Sequence, residues 1–248
     1  MIDVQKLRSD FPILAREVNG KQLVYLDNGA SSQKPQIVID AISNAYSNEY
    51  SNVHRGLHYL SNLATDNYEN VRSIVQKFLC AEFEEEIVFT SGTTEGINLA
   101  AYAWGMEHLK NGDEIILSVM EHHANIVPWH FLRERYGIKI KWIDCDINGN
   151  IDPQAIIDQF SDRTKLLAIT HMSNVLGTIV DVKTLCHEAS KRGIVSLIDG
   201  SQAAVHMPVN VKDLGCDFYA ITGHKLCGPS GSGAIYIKKE IQKAMRPF

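Results

Sequence analysis

Five groups of polar residues stand directly after short apolar runs: Gly92-Thr93-Thr94-Glu95, Glu121-His122-His123, His171 with Asn174, Asp199 with Gln202, and Thr222-Gly223-His224-Lys225. Each can do a distinct chemistry. Gly92 permits a tight turn into a helix. The free N–H groups and dipole of that helix start, with the hydroxyls of Thr93 and Thr94, make an anion site. The same stretch also reads as an ordinary N-cap. Asp199 closes an apolar run, where a carboxylate is costly unless paired. A protonated ring nitrogen would pair it through a charge-assisted hydrogen bond of about 1.5–3 kcal/mol. A helix beginning near Ser201 would be capped by it instead. His122 or His123 can lay a flat imidazole on an aromatic ring, or can be plain loop polarity. The adjacent pair lacks the i, i+4 spacing of a helical zinc site, and no metal is expected. Lys225 forms an imine only as the free amine, so its ordinary pKa of about 10.4 must be lowered by burial. Otherwise it is a solvated loop lysine. The run Gly228-x-x-Gly231-x-Gly233 imitates a nucleotide loop, but it follows no strand-to-helix turn and is set aside.

The elements that must position these groups alternate. A short helix follows Asp3 and ends by Pro12. Leu23-Val24-Tyr25-Leu26 reads as a strand. Helices are expected from Pro35 to about Tyr50 and from Thr65, the latter with Val71, Ile74, Val75, Phe78 and Leu79 on one apolar face. Strands at 86–90, 114–118, 139–144, 166–170 and 194–199 then alternate with helices near Thr94, at 128–136, from Pro153 and around Val182, Leu185, Cys186 and Ala189. Such a rhythm means an α/β fold with a mostly parallel sheet and helices on both faces. Residues 217–222 and 234–237 have only a Gly/Pro-rich loop between them and are expected to pair antiparallel. Ligands of open parallel sheets lie outside the carboxyl ends of the strands. The five groups therefore describe one ligand with several chemical faces.

Composition narrows the partners. With 24 Lys+Arg against 29 Asp+Glu, the net charge of -5 offers no attraction to nucleic acid or an anionic membrane. The five cysteines are odd in number, widely spaced and without C-x-x-C, which suits a reducing compartment rather than a disulfide framework. No apolar h-region and no bilayer-length run is visible, so a cytoplasmic protein is expected.

In chain order these pieces resemble the fold-type I enzymes of pyridoxal 5′-phosphate (PLP), and more closely the SUF-type cysteine desulfurases of the class-V aminotransferase family. The carrying segments are Tyr25-Leu26-Asp27, Val53-His54-Arg55-Gly56, Gly92-Thr93-Thr94-Glu95-Gly96-Ile97-Asn98, Met120-Glu121-His122-His123-Ala124-Asn125, Thr170-His171-Met172-Ser173-Asn174-Val175-Leu176-Gly177, Asp199-Gly200-Ser201-Gln202-Ala203 and Gly223-His224-Lys225-Leu226. The resemblance implies a seven-stranded sheet and a set of roles. Lys225 is the Schiff-base lysine and proton shuttle. Asp199 pairs with the pyridine nitrogen, Gln202 reaches the ring hydroxyl, and His122 stacks on the ring and handles protons. Thr93, Thr94, Thr222 and His224 bind the phosphate. Asn174 lies near cofactor and substrate, and His54 and Arg55 line the entrance.

The implied reaction converts L-cysteine to L-alanine and passes the sulfur, as a persulfide, to an acceptor protein of the SUF system for Fe–S assembly. A homodimer is implied too. Residues 1–20 are expected to belong to a small domain and 21–248 to form the PLP-binding large domain. The resemblance places roughly 100–150 further residues beyond Phe248, with the nucleophilic cysteine and the arginine for the substrate carboxylate. On that expectation the chain is a fragment, inactive in sulfur transfer alone. Selenocysteine lyase or another fold-type I enzyme, and a non-catalytic PLP-binding scaffold or half of a split enzyme, are the alternatives.

Overall fold

A computed structural model of the chain describes residues 2–248; Met1 lies outside them. Helix α1 (Val4–Ser9) starts where the Asp3 carboxylate accepts the amides of Gln5 and Lys6 at 3.1 Å. It stops before Pro12, which opens a separate short turn. The hairpin β1 (Glu17–Val18) and β2 (Lys21–Gln22) closes through Asn19-Gly20, both at positive φ, as a two-residue hairpin turn requires. Helices α2 (Gln36–Asn44) and α3 (Tyr59–Leu79) follow.

The main body then alternates as expected. In order come β3 (Ile87–Thr90), α4 (Thr93–Leu99), α5 (Met106–His108), β4 (Glu114–Ser118), α6 (Val127–Tyr136), β5 (Lys139–Ile143), α7 (Pro153–Ile157) and β6 (Thr164–Thr170). They are followed by α8 (Val182–Lys191), β7 (Val195–Asp199), α9 (Ala203–His206), α10 (Val211–Leu214), β8 (Phe218–Thr222), β9 (Gly233–Ile237) and α11 (Lys239–Gln242). The seven-stranded sheet has the order β3-β9-β8-β7-β6-β4-β5. From β8 to β5 the neighbours are parallel, and β9 is antiparallel to both β8 and β3.

Two apolar clusters, one on each face, hold the sheet between helices. One joins Ile116, Leu167, Ile169 and Ile198 to Leu185, Cys186 and Ala189 of α8. The other joins Ile115, Leu117, Ala168 and Leu197 to Ile97 of α4 and to Trp129 and Leu132 of α6. Alternate residues of each strand thus serve opposite faces, which is why these strands are apolar throughout. Among the described residues no helix is long and apolar enough to cross a membrane.

Two expectations are corrected. Leu23-Val24-Tyr25-Leu26 is not a strand; it has no sheet partner, and Val24 and Leu26 are exposed. Helix α3 begins at Tyr59, six residues before Thr65, where the His58 ring accepts the Ser61 amide. Its apolar stripe is only partly used: Leu79 is fully buried and Val75 half-buried, while Val71, Ile74 and Phe78 remain exposed.

One glycine at the end of β7 has a steric duty. A Cβ on Gly200 would lie 2.0 Å from the Tyr219 ring, which is itself fully buried. Gly200→Ala is therefore expected to cost about 1–3 kcal/mol, read as a thermal midpoint lower by several degrees. An unchanged midpoint would show that the ring can yield.

Candidate active site

The carboxyl ends of the parallel strands open on a cavity of about 380 Å³. Of the residues singled out from the sequence, Thr93, Thr94, His122, Asn174, Asp199, Gln202, Thr222, His224 and Lys225 all line it. His54 and Arg55 do not. His54 sits before α3 at a left-handed φ of 63°, with its Nε2 3.0 Å from the Glu69 carboxylate.

Asp199 ends the central strand β7 and is 4% exposed. One carboxylate oxygen accepts the Ser201 amide at 2.9 Å. The other has no donor among the described residues, and the side chain faces the cavity. Lys225, in the turn after β8, lines the same cavity and is half-buried. Burial pushes its ammonium below the ordinary lysine range, and the Asp199 charge works against that shift. The two groups form no ion pair within 4.0 Å.

The start of α4 supplies amides and hydroxyls. Gly92 precedes it with φ 153°, and a Cβ there would meet Thr222 Oγ1 at 3.3 Å. Thr93 Oγ1 accepts from Ser201 Oγ at 2.8 Å, which ties the β7 and β3 ends together. Ser201 also lines the cavity and carries no assignment from the sequence, although it stands inside the Asp199–Ala203 motif. Gly29 and Ala30 reach the cavity as well; Gln202 Nε2 donates to the Gly29 carbonyl at 2.7 Å. Nothing in the sequence signals that approach, because it joins positions 173 residues apart.

His122 is exposed at the cavity wall, and its Nδ1 accepts the Ala124 amide at 3.1 Å. The proton of its neutral ring is therefore on Nε2. Beneath it, Glu121 is buried. Its carboxyl accepts from Ser118 Oγ at 2.5 Å, from the Thr170 amide at 3.0 Å and from Asn125 Nδ2 at 2.8 Å. Burial raises it to about 7 despite these donors. His171 is buried too, its Nδ1 2.9 Å from the Tyr219 hydroxyl, so it points away from the cavity rather than into it.

None of the five cysteines lines the cavity among the described residues. Cys227 follows Lys225 by two positions but is held in a turn at φ 62°. Cys145 lines a neighbouring, more apolar recess that shares His122 and Asn174.

Residues 24–248 match the model of the aminotransferase class-V family. The chain belongs to that family. Its enzymes are PLP-dependent. A cysteine desulfurase of Salmonella newport (strain SL254) is 51% identical over 245 residues, 99% of this chain and 60% of that protein. Among solved structures, a cysteine desulfurase from Thermococcus onnurineus NA1 superposes with a TM-score of 0.91 at 40% identity, covering 100% of this chain and 60% of that one. The cysteine desulfurase CsdA from Escherichia coli gives 0.88 at 38% identity, covering 100% and 61%. The chain thus spans about three-fifths of the length of the relatives it matches.

The cavity's donor set fits PLP. A buried carboxylate with a free oxygen suits a pyridinium, a lysine held below its ordinary range suits an aldehyde, and the α4 start suits a phosphate.

Burial also sets the acid response. His171 is pushed down to about 4 by desolvation, against an ordinary 6.5. Below pH 6.5 the unfolded chain takes up a proton there and the folded chain does not, so stability falls as pH drops toward 4. At full effect the loss is ~3 kcal/mol. Glu121 works oppositely: its contribution is present below its ordinary value of 4.5 and is lost as pH rises through 7. The difference between wild type and His171→Gln isolates the first effect. On going from neutral pH toward pH 5, the wild-type thermal midpoint should fall relative to the variant's; parallel curves would contradict it.

Proposed function

We propose that the chain carries PLP on Lys225 and takes part in cysteine desulfuration, converting L-cysteine to L-alanine with transfer of the sulfur as a persulfide. The observation that carries this reading is the cavity in which Asp199, with one oxygen free, faces a half-buried Lys225 beyond the ends of β7 and β8. The 51% identity to a cysteine desulfurase favours that reaction over others of the family.

When bound, PLP supplies an electron sink for the carbanion at the substrate Cα. The protein's own groups do the rest. The free oxygen of Asp199 would accept the ring N–H and so favour its protonated form. Lys225 Nζ, which burial holds below the ordinary lysine range, would take the Cα proton and return it. His122, at the cavity wall, would hold the cofactor ring and could offer its Nε2–H. Thr93, Thr94, Thr222 and His224 hold the phosphate, Gln202 the ring hydroxyl, and Asn174 the substrate side. Sulfur transfer needs a thiolate about 3–3.5 Å from the substrate sulfur. Among the described residues none of the five cysteines lines this cavity, so the reading assigns that thiol to none of them.

Within this reading residues 21–248 form the PLP-binding domain and residues 2–20 belong to a small domain. The working protein is a cytoplasmic homodimer, a setting that its five free cysteines suit, and it delivers sulfur to an acceptor of the SUF system.

Borohydride reduction of the PLP-loaded chain, followed by peptide mapping, should place the cofactor on Lys225. Incubated with L-cysteine, the chain of 248 residues should exchange the substrate Cα proton with solvent and release no sulfide. Cofactor fixed to a different lysine, or sulfide release abolished by Cys227→Ser, would defeat the reading.

A further inference from the structure

The turn that carries Lys225 is held by a segment 192 residues earlier, which the proposed chemistry does not use. Ser32 grips the turn at two points. Its amide and its hydroxyl both donate to the His224 carbonyl at 3.0 Å, and its oxygen accepts the Cys227 amide at 2.9 Å. The bonded residues stand on either side of Lys225. Lys34 Nζ adds a charge-assisted donor to the same His224 carbonyl at 2.9 Å, and the Ser31 hydroxyl approaches it more distantly at 3.4 Å. The segment is itself tied down, since the Tyr25 hydroxyl donates to the Ser31 carbonyl at 2.7 Å.

The turn needs such a grip. Cys227 has φ 62°, a left-handed conformation that a residue with a Cβ adopts at a cost. The bond to Ser32 Oγ fastens that residue. Without it, relaxation of Cys227 would move Lys225, two positions away, relative to Asp199 on β7. The ionisable groups facing the turn are Asp199 across the cavity, Lys34 from the early segment, and His224 and Cys227 within it.

We propose that Ser32, with Lys34, is a positioning residue for Lys225: it pins both sides of the turn so that the amine stays half-buried against the cavity. This rests on Lys225 being the attachment point of PLP.

The test uses the purified 248-residue chain, stripped of cofactor, with PLP as the probe. The rate of borohydride-trapped label on Lys225 is followed from neutral to alkaline pH, and amide exchange at Cys227 is measured without cofactor. Ser32→Ala and Lys34→Met should each slow labelling at neutral pH at least about fivefold and move the pH midpoint upward, as the amine returns toward the ordinary lysine range. In Ser32→Ala the Cys227 amide should exchange at least about tenfold faster. Ser32→Thr and Lys34→Arg keep the donors and should stay within about twofold of wild type. If Ser32→Ala fails to fold, Lys34→Met, which removes the ammonium bonds to the Ser32 and His224 carbonyls and leaves the bonds of Ser32 to the turn in place, carries the same comparison. Wild-type labelling rate and midpoint in folded Ser32→Ala or Lys34→Met would overturn the assignment. No label on Lys225 in the wild type would instead overturn the cofactor reading beneath it.

Discussion

The site is organised around a carboxylate that has been taken out of water without being fully paired. Asp199 ends a strand covered on both faces, and the protein gives it one amide and leaves its second oxygen to the cavity. That second oxygen opens on the cavity, where a cationic hydrogen-bond donor would complete its pairing. Lys225 could have closed an ion pair with it and does not. The two groups instead face a shared space, and in the proposed reading a ligand with a protonatable ring nitrogen at one end and an aldehyde toward the other would fill it.

The fold can be read as the means of keeping that geometry. Parallel strands β6, β7 and β8 deliver Thr170, Asp199 and Thr222 to one side, Thr170 paired with Asp199 and Thr222 two residues past Ala220, the β8 partner of Asp199. The one antiparallel strand of the large sheet, β9, lets the chain turn back through Lys225 with only a single 3-10 turn, Gly223–Lys225, and a loop between. Glu121 fastens the end of β4 to the Thr170 amide, and Ser201 fastens Thr93 to the Asp199 loop. Gly200 allows the chain to pass over the Tyr219 ring directly after the carboxylate. Each contact is local, yet together they join four strand ends and one helix start into one wall.

Much of this was legible in the residues themselves. Apolar runs buried on both faces are continuous, so β4 and β7 lie within a residue of where the sequence puts them. The five groups at strand ends marked eleven lining residues of the cavity, because an open parallel sheet binds ligands there. What escaped has a common cause. Leu23–Leu26 has strand-forming residues but no partner strand, and pairing is not a property of a segment. The grip of Ser32 and Lys34 on the Lys225 turn links distant positions through a main-chain carbonyl, which leaves no pattern in residue types. His54 has suitable chemistry but a position beside Glu69 rather than at the cavity.

The account stands most directly on the bond between Asp199 and a protonated ring nitrogen, and PLP titration of Asp199 variants measures it. A charge-assisted bond of about 1.5–3 kcal/mol corresponds to roughly tenfold to a hundredfold in affinity. Asp199→Ala should weaken PLP binding by that factor, and Asp199→Glu, which keeps the carboxylate, should weaken it less. Equal PLP affinity in wild type and Asp199→Ala would contradict the account.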